Sequence, residues 1–420
     1  MSKRYLEYVD SGVPWLGHVP AGWTMRPLWS MFERIKDIGH PDEQMLSVFR
    51  DYGVVAKDSR DNINKTAENR NIYQLVHPGW LVANRMKAWQ GSVGISPLRG
   101  IVSGHYICFA PRHDADSRYL NWLFRSPAYT AGYALQSRGV RIGQAEIDND
   151  LYRVMPVLLP PIEEQRAIAD YLDRETASID TLIEEQQSLI EMLREQRAAV
   201  VDAALAPVSS WTRTTLKHLL SGIDQGVSPQ AEAGFADEPG TWGVLKTGCV
   251  NRGVFRPEEH KRLPSDFTFD LAIAVEVGDV IVSRASGSPD LVGSAAIVER
   301  LDYQLILSDK LFRLRPKQSV DPRFLVWSLN SGQYRVQVGR AISGAEGLAN
   351  NLPLAKLRAF EMHHPSLEEQ RRIAAHLDEQ TTKIDMLIEE TERLTELARE
   401  RRAALITAAV TGQIDIREMA

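Results

Sequence analysis

The sequence predicts an α+β protein with a pseudo-two-fold internal duplication: two similar mixed domains separated by two long helices, packed as an antiparallel intramolecular coiled coil. Three observations carry this expectation. A long segment is repeated without gaps, an apolar seam runs unbroken through each copy, and the stretches before each copy alternate short β-rich runs with turn residues.

The repeat comes first because it organises everything else. Residues 160–205 align without a gap on 365–410 with more than half of the positions identical. Glu163-Glu164-Gln165-Arg166 matches Glu368-Glu369-Gln370-Arg371, and Ile179-Asp180 matches Ile384-Asp385. The likeness extends upstream in the same register, with Arg118-Tyr119-Leu120 facing Arg323-Phe324-Leu325, Trp122 facing Trp327, Pro111 facing Pro316 and Ser103 facing Ser308. With small gaps, Gly79 to Arg85 still resembles Gly278 to Arg284, and each half opens on a Trp-Thr pair, Trp23-Thr24 and Trp211-Thr212. Two copies of about 200 residues are too few and too long for a solenoid. The unit repeated is a variable domain followed by a helix.

Within the repeated segment, Ile168, Leu172, Ile179, Leu182, Leu189, Leu193 and Val200 trace one helical seam. Ile373, Leu377, Ile384, Leu387, Leu394 and Leu405 trace it again. No Gly or Pro interrupts either run. Pro160-Pro161 and Pro365 mark the starts, paired glutamates follow where a helix dipole favours negative charge, and the ends are expected before Pro207 and Gly412. Ser366 stands where the first copy has a second proline, which predicts a looser start for the second helix. A helix of about 40 residues is roughly 60 Å long and cannot leave its apolar stripe in water. The other copy has a seam of the same length, so the two stripes are expected to bury each other; packing of each helix on its own domain is the alternative.

In the variable parts, Trp80 to Ala83, Ile101-Val102, Tyr106 to Phe109, Val280 to Val282 and Ala295 to Val298 read as strands. Short helices are expected around Tyr119 to Phe124 and Phe324 to Leu329. The expected domain limits are 1–159, 160–206, 207–364 and 365–420.

Composition bounds the function. At 420 residues the chain should hold two or three domains, and 44% hydrophobic with 25% charged residues is ordinary for a globular protein. No apolar run approaches the roughly 18 residues of a membrane span, and the start lacks the apolar stretch of a secretory signal, so no membrane association is expected and the cytoplasm is the expected location. Cys108 and Cys249 lie in different halves and supply neither a disulfide framework nor a thiolate zinc site. The net charge of −6 is unfavourable to nucleic acid only as a whole-chain average, because acid concentrates in the two helical segments; 160–205 alone carries eleven acidic against four basic residues. The two larger segments are neutral to basic and could each present a positive face.

The motifs 159–165 (Leu-Pro-Pro-Ile-Glu-Glu-Gln) leading into Ile179-Asp180, 365–370 (Pro-Ser-Leu-Glu-Glu-Gln), 408–415 (Ala-Ala-Val-Thr-Gly-Gln-Ile-Asp) and the opening 11–20 (Ser-Gly-Val-Pro-Trp-Leu-Gly-His-Val-Pro) resemble the specificity subunit of type I restriction-modification systems. The resemblance spans the chain. It implies that residues 1–159 and 207–364 are target-recognition domains, each reading one half of a split double-stranded DNA target. It also implies that the helices set the gap between half-sites and dock two modification subunits that methylate adenine, with restriction subunits joining the complex. S-adenosylmethionine, ATP and magnesium would then sit on those partners, and this chain would hold no cofactor or metal and no catalytic residue. With a helix pair about 60 Å long, half-site centres would lie no more than about 18 base pairs apart.

The residues agree with that division of labour. The only Pro-Pro pair, Pro160-Pro161, precedes a helix and is no methyltransferase motif, and no Gly-Lys dipeptide offers a phosphate-cradling loop. Pro289-Asp290 begins a nuclease-like pattern that no Glu-x-Lys completes, and His363-His364, adjacent on a strand, would point to opposite faces rather than share a metal.

Base edges are read by forked or paired donors and acceptors on rigid loops, with glycines permitting close approach. Two stretches in each half provide them. In the first half the expected contacts are Asn84, Arg85, Lys87 and Gln90 after a strand, then Arg138, Arg141 and Gln144. In the second they are Arg284, Ser286 and Ser288 at the corresponding strand end, then Arg340 and Asn350. Any one of these arginines could equally be a solvated charge or a salt-bridge partner, and Trp89 is expected to pack partly into the core. The alternative for the whole chain is a coiled-coil scaffold whose two domains bind protein.

Overall fold

The computed structural model describes residues 4–59, 69–138, 145–231, 234–342 and 350–417, which fall into two compact units. Unit 1 comprises Met1–Gln187 with Arg393–Ala420, and unit 2 comprises Ser188–Glu392. The division therefore runs inside both long helices rather than at their ends. Each unit is a mixed domain together with the helix segments packed against it.

In unit 1 the central sheet is built from β1 (Phe32–Ile35), β2 (Leu81–Asn84), β3 (Val93–Ile95) and β4 (Tyr106–Pro111). Its order is β1-β4-β2-β3, antiparallel throughout, with Cys108 opposite both Val82 and Ile35. The helices α1 (Ser117–Arg125) and α2 (Pro127–Leu135) cover it. Asp116 caps α1 by accepting from the N–H groups of Arg118 and Tyr119 at 2.9 and 3.0 Å. Strand Pro156–Leu159 pairs with Thr24–Pro27 and then runs into the long helix α3 (Ile162–Ala204). Buried Tyr119, Tyr129 and Tyr133 spend their hydroxyls on the carbonyls of Leu158, Pro156 and Phe124, which removes the cost of burying a polar tip.

Unit 2 repeats this plan. Its sheet of β5 (Leu220–Gln225), β6 (Val280–Ser283), β7 (Ala295–Ile297) and β8 (Leu311–Pro316) has the order β5-β8-β6-β7, again antiparallel. Next come α4 (Pro322–Ser328), capped by Asp321, and α5 (Gly332–Ala341). Strand Glu361–His364 pairs with Thr212–Thr215 and leads into α6 (Leu367–Val410). The recurring Trp-Thr pairs thus mark the strand that partners the approach to each long helix. Ser366 does not loosen the start of α6: its hydroxyl accepts the Glu369 N–H at 3.3 Å, so the replaced proline has become an N-cap.

The long helices meet in both units. In unit 1, Ile168, Ala169 and Leu172 at the start of α3 share a core with Ile406, Ala409 and Val410 at the end of α6. In unit 2 the repeat-equivalent residues have exchanged roles: Val201 and Leu205 pack with Ile373, Ala374 and Leu377. Start meets end in each case, so the helices run antiparallel within either unit.

The register of the seam corrects the sequence reading in its middle. Leu182, Leu189, Leu387 and Leu394, expected at the interface, are exposed, the least of them by 37%. The buried row instead contains Thr176, Ile179, Ile190 and Leu193 on α3, and Thr381, Ile384, Thr391, Thr395 and Ala398 on α6. Threonines occupy heptad positions because each hydroxyl can bond back to the carbonyl four residues earlier, as Thr381 does to Leu377 and Thr391 to Leu387, both at 2.7 Å. Following aliphatic residues alone skips those positions and slips by one. Leu405 is likewise half-buried, with Ile406 in the deeper place.

Among the described residues no helix is long and apolar enough to cross a membrane, and no group of three or more acidic, His or Cys side chains is placed to hold a metal ion. His363 lies opposite Arg213 across the ladder, 3.5 Å from Glu361, and His364 lies opposite Thr212. Cys108 and Cys249 are buried, and burial pushes both thiols up, Cys108 to about 12.

One core position differs sharply between the copies. Where β4 carries Cys108, β8 carries Arg313, only 3% exposed. Its guanidinium is fully engaged by Asp224 at 2.8 Å, Asp279 at 3.1 Å and the carbonyls of Ala272 and Ala274. Removing it leaves Asp279 without its cation and the two carbonyls without their donor, while Asp224 keeps Arg315 at 2.7 Å. Arg313→Ala is expected to lower the unfolding free energy by about 3–5 kcal/mol in urea denaturation, against about 1 kcal/mol for Cys108→Ala. Equal losses would show that the guanidinium is not holding unit 2 together.

Candidate nucleic-acid interface

The repeated motifs build the support for the loops. In unit 1 the Gln165 side chain accepts the Asp116 N–H at 2.9 Å and donates to the Pro160 carbonyl at 2.8 Å. In unit 2 Gln370 does the same with Asp321 and Pro365, at 2.8 and 2.9 Å. About two turns further along each long helix, Trp122 donates its indole N–H to Asp173, and Trp327 donates to Asp378, both at 2.8 Å. Arg118 and Arg323 reach the same carboxylates at 3.2 Å. The Ile-Asp pair is explained by the opposite helix: Asp180 pairs with Arg402 in unit 1 and Asp385 with Arg197 in unit 2, each at 2.7 Å. These arginines lie 5.9 and 5.8 Å from the rings of Trp122 and Trp327. The repeated Gln, the Asp that takes the Trp indole and the Asp of the Ile-Asp pair therefore each fix a helix to a mixed domain or to the other helix.

The loops expected to contact DNA are not equally free. Arg85 forms an ion pair with Glu146 at 2.8 Å, and the Asn84 carboxamide oxygen accepts the Met86 N–H at 3.1 Å. Arg138 lies 3.3 Å from Asp148, whose carboxyl is held below its usual range chiefly by the Leu151 N–H, then by the Asp150 N–H and Arg138. Arg284 donates to the Asp309 carbonyl at 3.0 Å and lies over Phe312. The Ser286 hydroxyl accepts the Ser288 N–H, and Asn350 pairs with Ser286 on a short two-stranded ladder. Lys87, Gln90 and Arg340 are exposed. Arg141 and Gln144 lie outside the described residues.

Asn84, Lys87 and Gln90 are brought together on the rim of a cavity of about 540 Å³ in unit 1. Sequence reasoning missed the opposite wall, Ser47 to Arg50, contributed by the hairpin Leu46–Phe49 and Gly53–Ala56. The glycine of Asp51-Tyr52-Gly53 between two β-rich runs was the available signal, and in the structure Gly53 adopts φ +68° at that turn. Tyr106, also on the wall, accepts the Val48 N–H at 3.5 Å, and burial raises its pKa. Trp89 is half-buried there, its indole N–H given to the Met86 carbonyl at 3.0 Å. A cavity of about 660 Å³ in unit 2 instead lies beside Arg197, Trp327 and Asp378, on the helix latch.

Two copies of one α+β module, each presenting polar loops and each latched to a long helix, define a duplicated fold. The chain resembles, in sequence and in fold, the specificity subunits of type I restriction enzymes. Over 170 residues it is 25% identical to the EcoEI specificity subunit of Escherichia coli, a stretch covering 40% of this chain and 28% of that protein. Over 394 residues it is 19% identical to the EcoKI specificity subunit of Escherichia coli K12, covering 86% of this chain and 83% of that protein. A solved chain from work on the complex assembly and conformational transition of the type I R-M system superposes with a TM-score of 0.66 at 17% identity, covering 94% of this chain and 99% of that one. No family model matches the chain.

The latch generates a prediction about stability. Trp122→Phe and Trp327→Phe keep an aromatic ring but remove the N–H that Asp173 or Asp378 accepts. Each is expected to cost about 1–3 kcal/mol of unfolding free energy, measured by thermal and urea denaturation. Losses within about 0.5 kcal/mol, as for an ordinary surface change, would mean that the tryptophans act by packing alone.

Proposed function

We propose that this chain is the DNA sequence-specificity subunit of a type I restriction-modification complex and is itself non-catalytic. The observation that carries the reading is the duplication of one module, sheet order, cap and latch included, in a chain resembling specificity subunits over most of its length. Each module reads one half of a bipartite duplex through the loops holding Asn84, Arg85, Lys87, Gln90 and Arg138 in unit 1, and Arg284, Ser286, Ser288, Arg340 and Asn350 in unit 2. S-adenosylmethionine, ATP and magnesium belong to partner subunits in the cytoplasm, two modification subunits and the restriction subunits. The second reading, a protein-binding scaffold, draws on the ion pairs that already occupy Arg85 and Arg138.

Binding to DNA separates the two. A 30-base-pair random duplex is expected to shift in an electrophoretic mobility assay at low salt, with affinity falling steeply between about 50 and 200 mM salt. Absence of any shift at low salt would leave the scaffold.

The helices offer the modification subunits an apolar surface. Unit 1 exposes Leu182, Leu394 and Leu397 there, and unit 2 exposes Leu189, Met192, Met386 and Leu387. Met192→Glu and Met386→Glu together are expected to weaken capture of the modification subunit at least tenfold in a pull-down titration, with unchanged circular dichroism. Capture at wild-type strength would place the docking site elsewhere.

A further inference from the structure

We propose that the cavity of unit 1 is a nucleotide pocket, seating one nucleotide displaced from its stack, with the base between aromatic side chains and the phosphate on Lys87 and Arg50. Its volume of about 540 Å³ falls within the roughly 300–1,000 Å³ typical of small-ligand sites. The walls combine three aromatic residues, Phe49, Trp89 and Tyr106, with two rim cations, Arg50 and Lys87. Both cations are exposed, and among the described residues neither has an acidic partner within salt-bridge distance. Polar floor groups complete the lining, including the Ser92 hydroxyl. Aromatic faces beside cations suit an unstacked base with its phosphate; the paired edge of an intact duplex presents neither a free base face nor a shape that enters a concavity.

The pocket is built rather than incidental. Arg125, from α1, donates to the carbonyls of Arg50 and Asp51 and so holds the hairpin turn that carries the first cation. Gly91, at φ +92°, closes the short turn carrying Trp89, and a Cβ there would meet Thr130 Oγ1 at 3.2 Å and Arg50 Cγ at 3.3 Å. Its bare backbone lets the Arg50 stem lie close to the tryptophan turn. The indole bond to Met86 then fixes the ring orientation. Unit 2 has no such aromatic set at the corresponding strand end, where Ser286, Gly287 and Ser288 follow Arg284. The pocket therefore distinguishes the two modules.

The nucleotide can come from DNA or be free in solution, and the first source rests on the DNA-binding reading above. The full chain would be titrated by fluorescence anisotropy with three labelled 30-base-pair duplexes: fully paired, carrying one bulged adenosine, and carrying a bulged abasic sugar-phosphate. Adenosine monophosphate would be titrated separately by calorimetry. The expected result is binding of the bulged-adenosine duplex about tenfold tighter than either other duplex. Trp89→Ala and Lys87→Ala should abolish that preference, with Trp89→Phe restoring most of it. Equal affinity for all three duplexes, with no binding of the mononucleotide, overturns the pocket while leaving DNA binding intact. If no duplex binds, the DNA reading fails: calorimetric binding of adenosine monophosphate that Trp89→Ala removes then keeps the pocket as a free-nucleotide site, and no such binding overturns it too.

Discussion

Neither long helix can exist as drawn unless its apolar stripe is covered, and in each unit the cover is a piece of the other helix. Ile168 and Leu172 need Ile406 and Val410; Ile373 and Leu377 need Val201 and Leu205. This requirement fixes the antiparallel direction, places Asp180 opposite Arg402 and Asp385 opposite Arg197, and sets those arginines beside the tryptophans of the mixed domains. The latches follow from it, because Trp122 and Trp327 can reach Asp173 and Asp378 only when the helix face is held in this rotation. The loops proposed to read DNA sit on sheets whose covering helices are held in turn by those latches.

On this shared frame the copies diverge where packing permits. Cys108 and Arg313 occupy the same place in the repeat, one an apolar filler and the other a cation wired to two aspartates. Arg125 and Asn330 are a second such pair: the arginine reaches out to the 50–51 carbonyls, whereas the asparagine turns inward to Ala295 and Val326. Identical latches with different interiors are what two modules of one ancestry show when their attachment to the helices is constrained and their interiors are not.

Much of the fold was legible because duplication exposes what is constrained. The gapless match found both helices, their proline-marked starts and their ends within a few residues, and the β-rich runs at Trp80, Tyr106, Val280 and Ala295 became strands of the two sheets, whereas the central strand Leu311–Pro316 was not read from the sequence. On α6 the middle of the seam was misread because threonine at a heptad position looks polar in sequence, yet is self-satisfied by its own helix; on α3 the adjacent aliphatics Leu189 and Ile190 left the choice open, and Ile190 is the buried one. Of the site, the strand-end loops were visible as Arg, Lys and Asn beside glycine. What was hidden was pairing: nothing in the order of residues says that Arg85 finds Glu146, or that Arg50, 37 positions before Lys87, stands on the same cavity rim. Such long-range meetings belong to topology.

Unit 2 is one unbroken stretch of chain, whereas unit 1 is stitched from two stretches separated by all of unit 2. Within it the Tyr8 hydroxyl bonds to the Gly412 carbonyl at 2.8 Å, and the Arg417 guanidinium lies 5.0 Å from the Tyr5 ring. A ribosome making this chain therefore releases every residue of the second module before it delivers the segment that closes the first. The module translated first must wait, incompletely buried, and is finished last, which gives the nascent chain its most vulnerable interval just before synthesis of the α6 end.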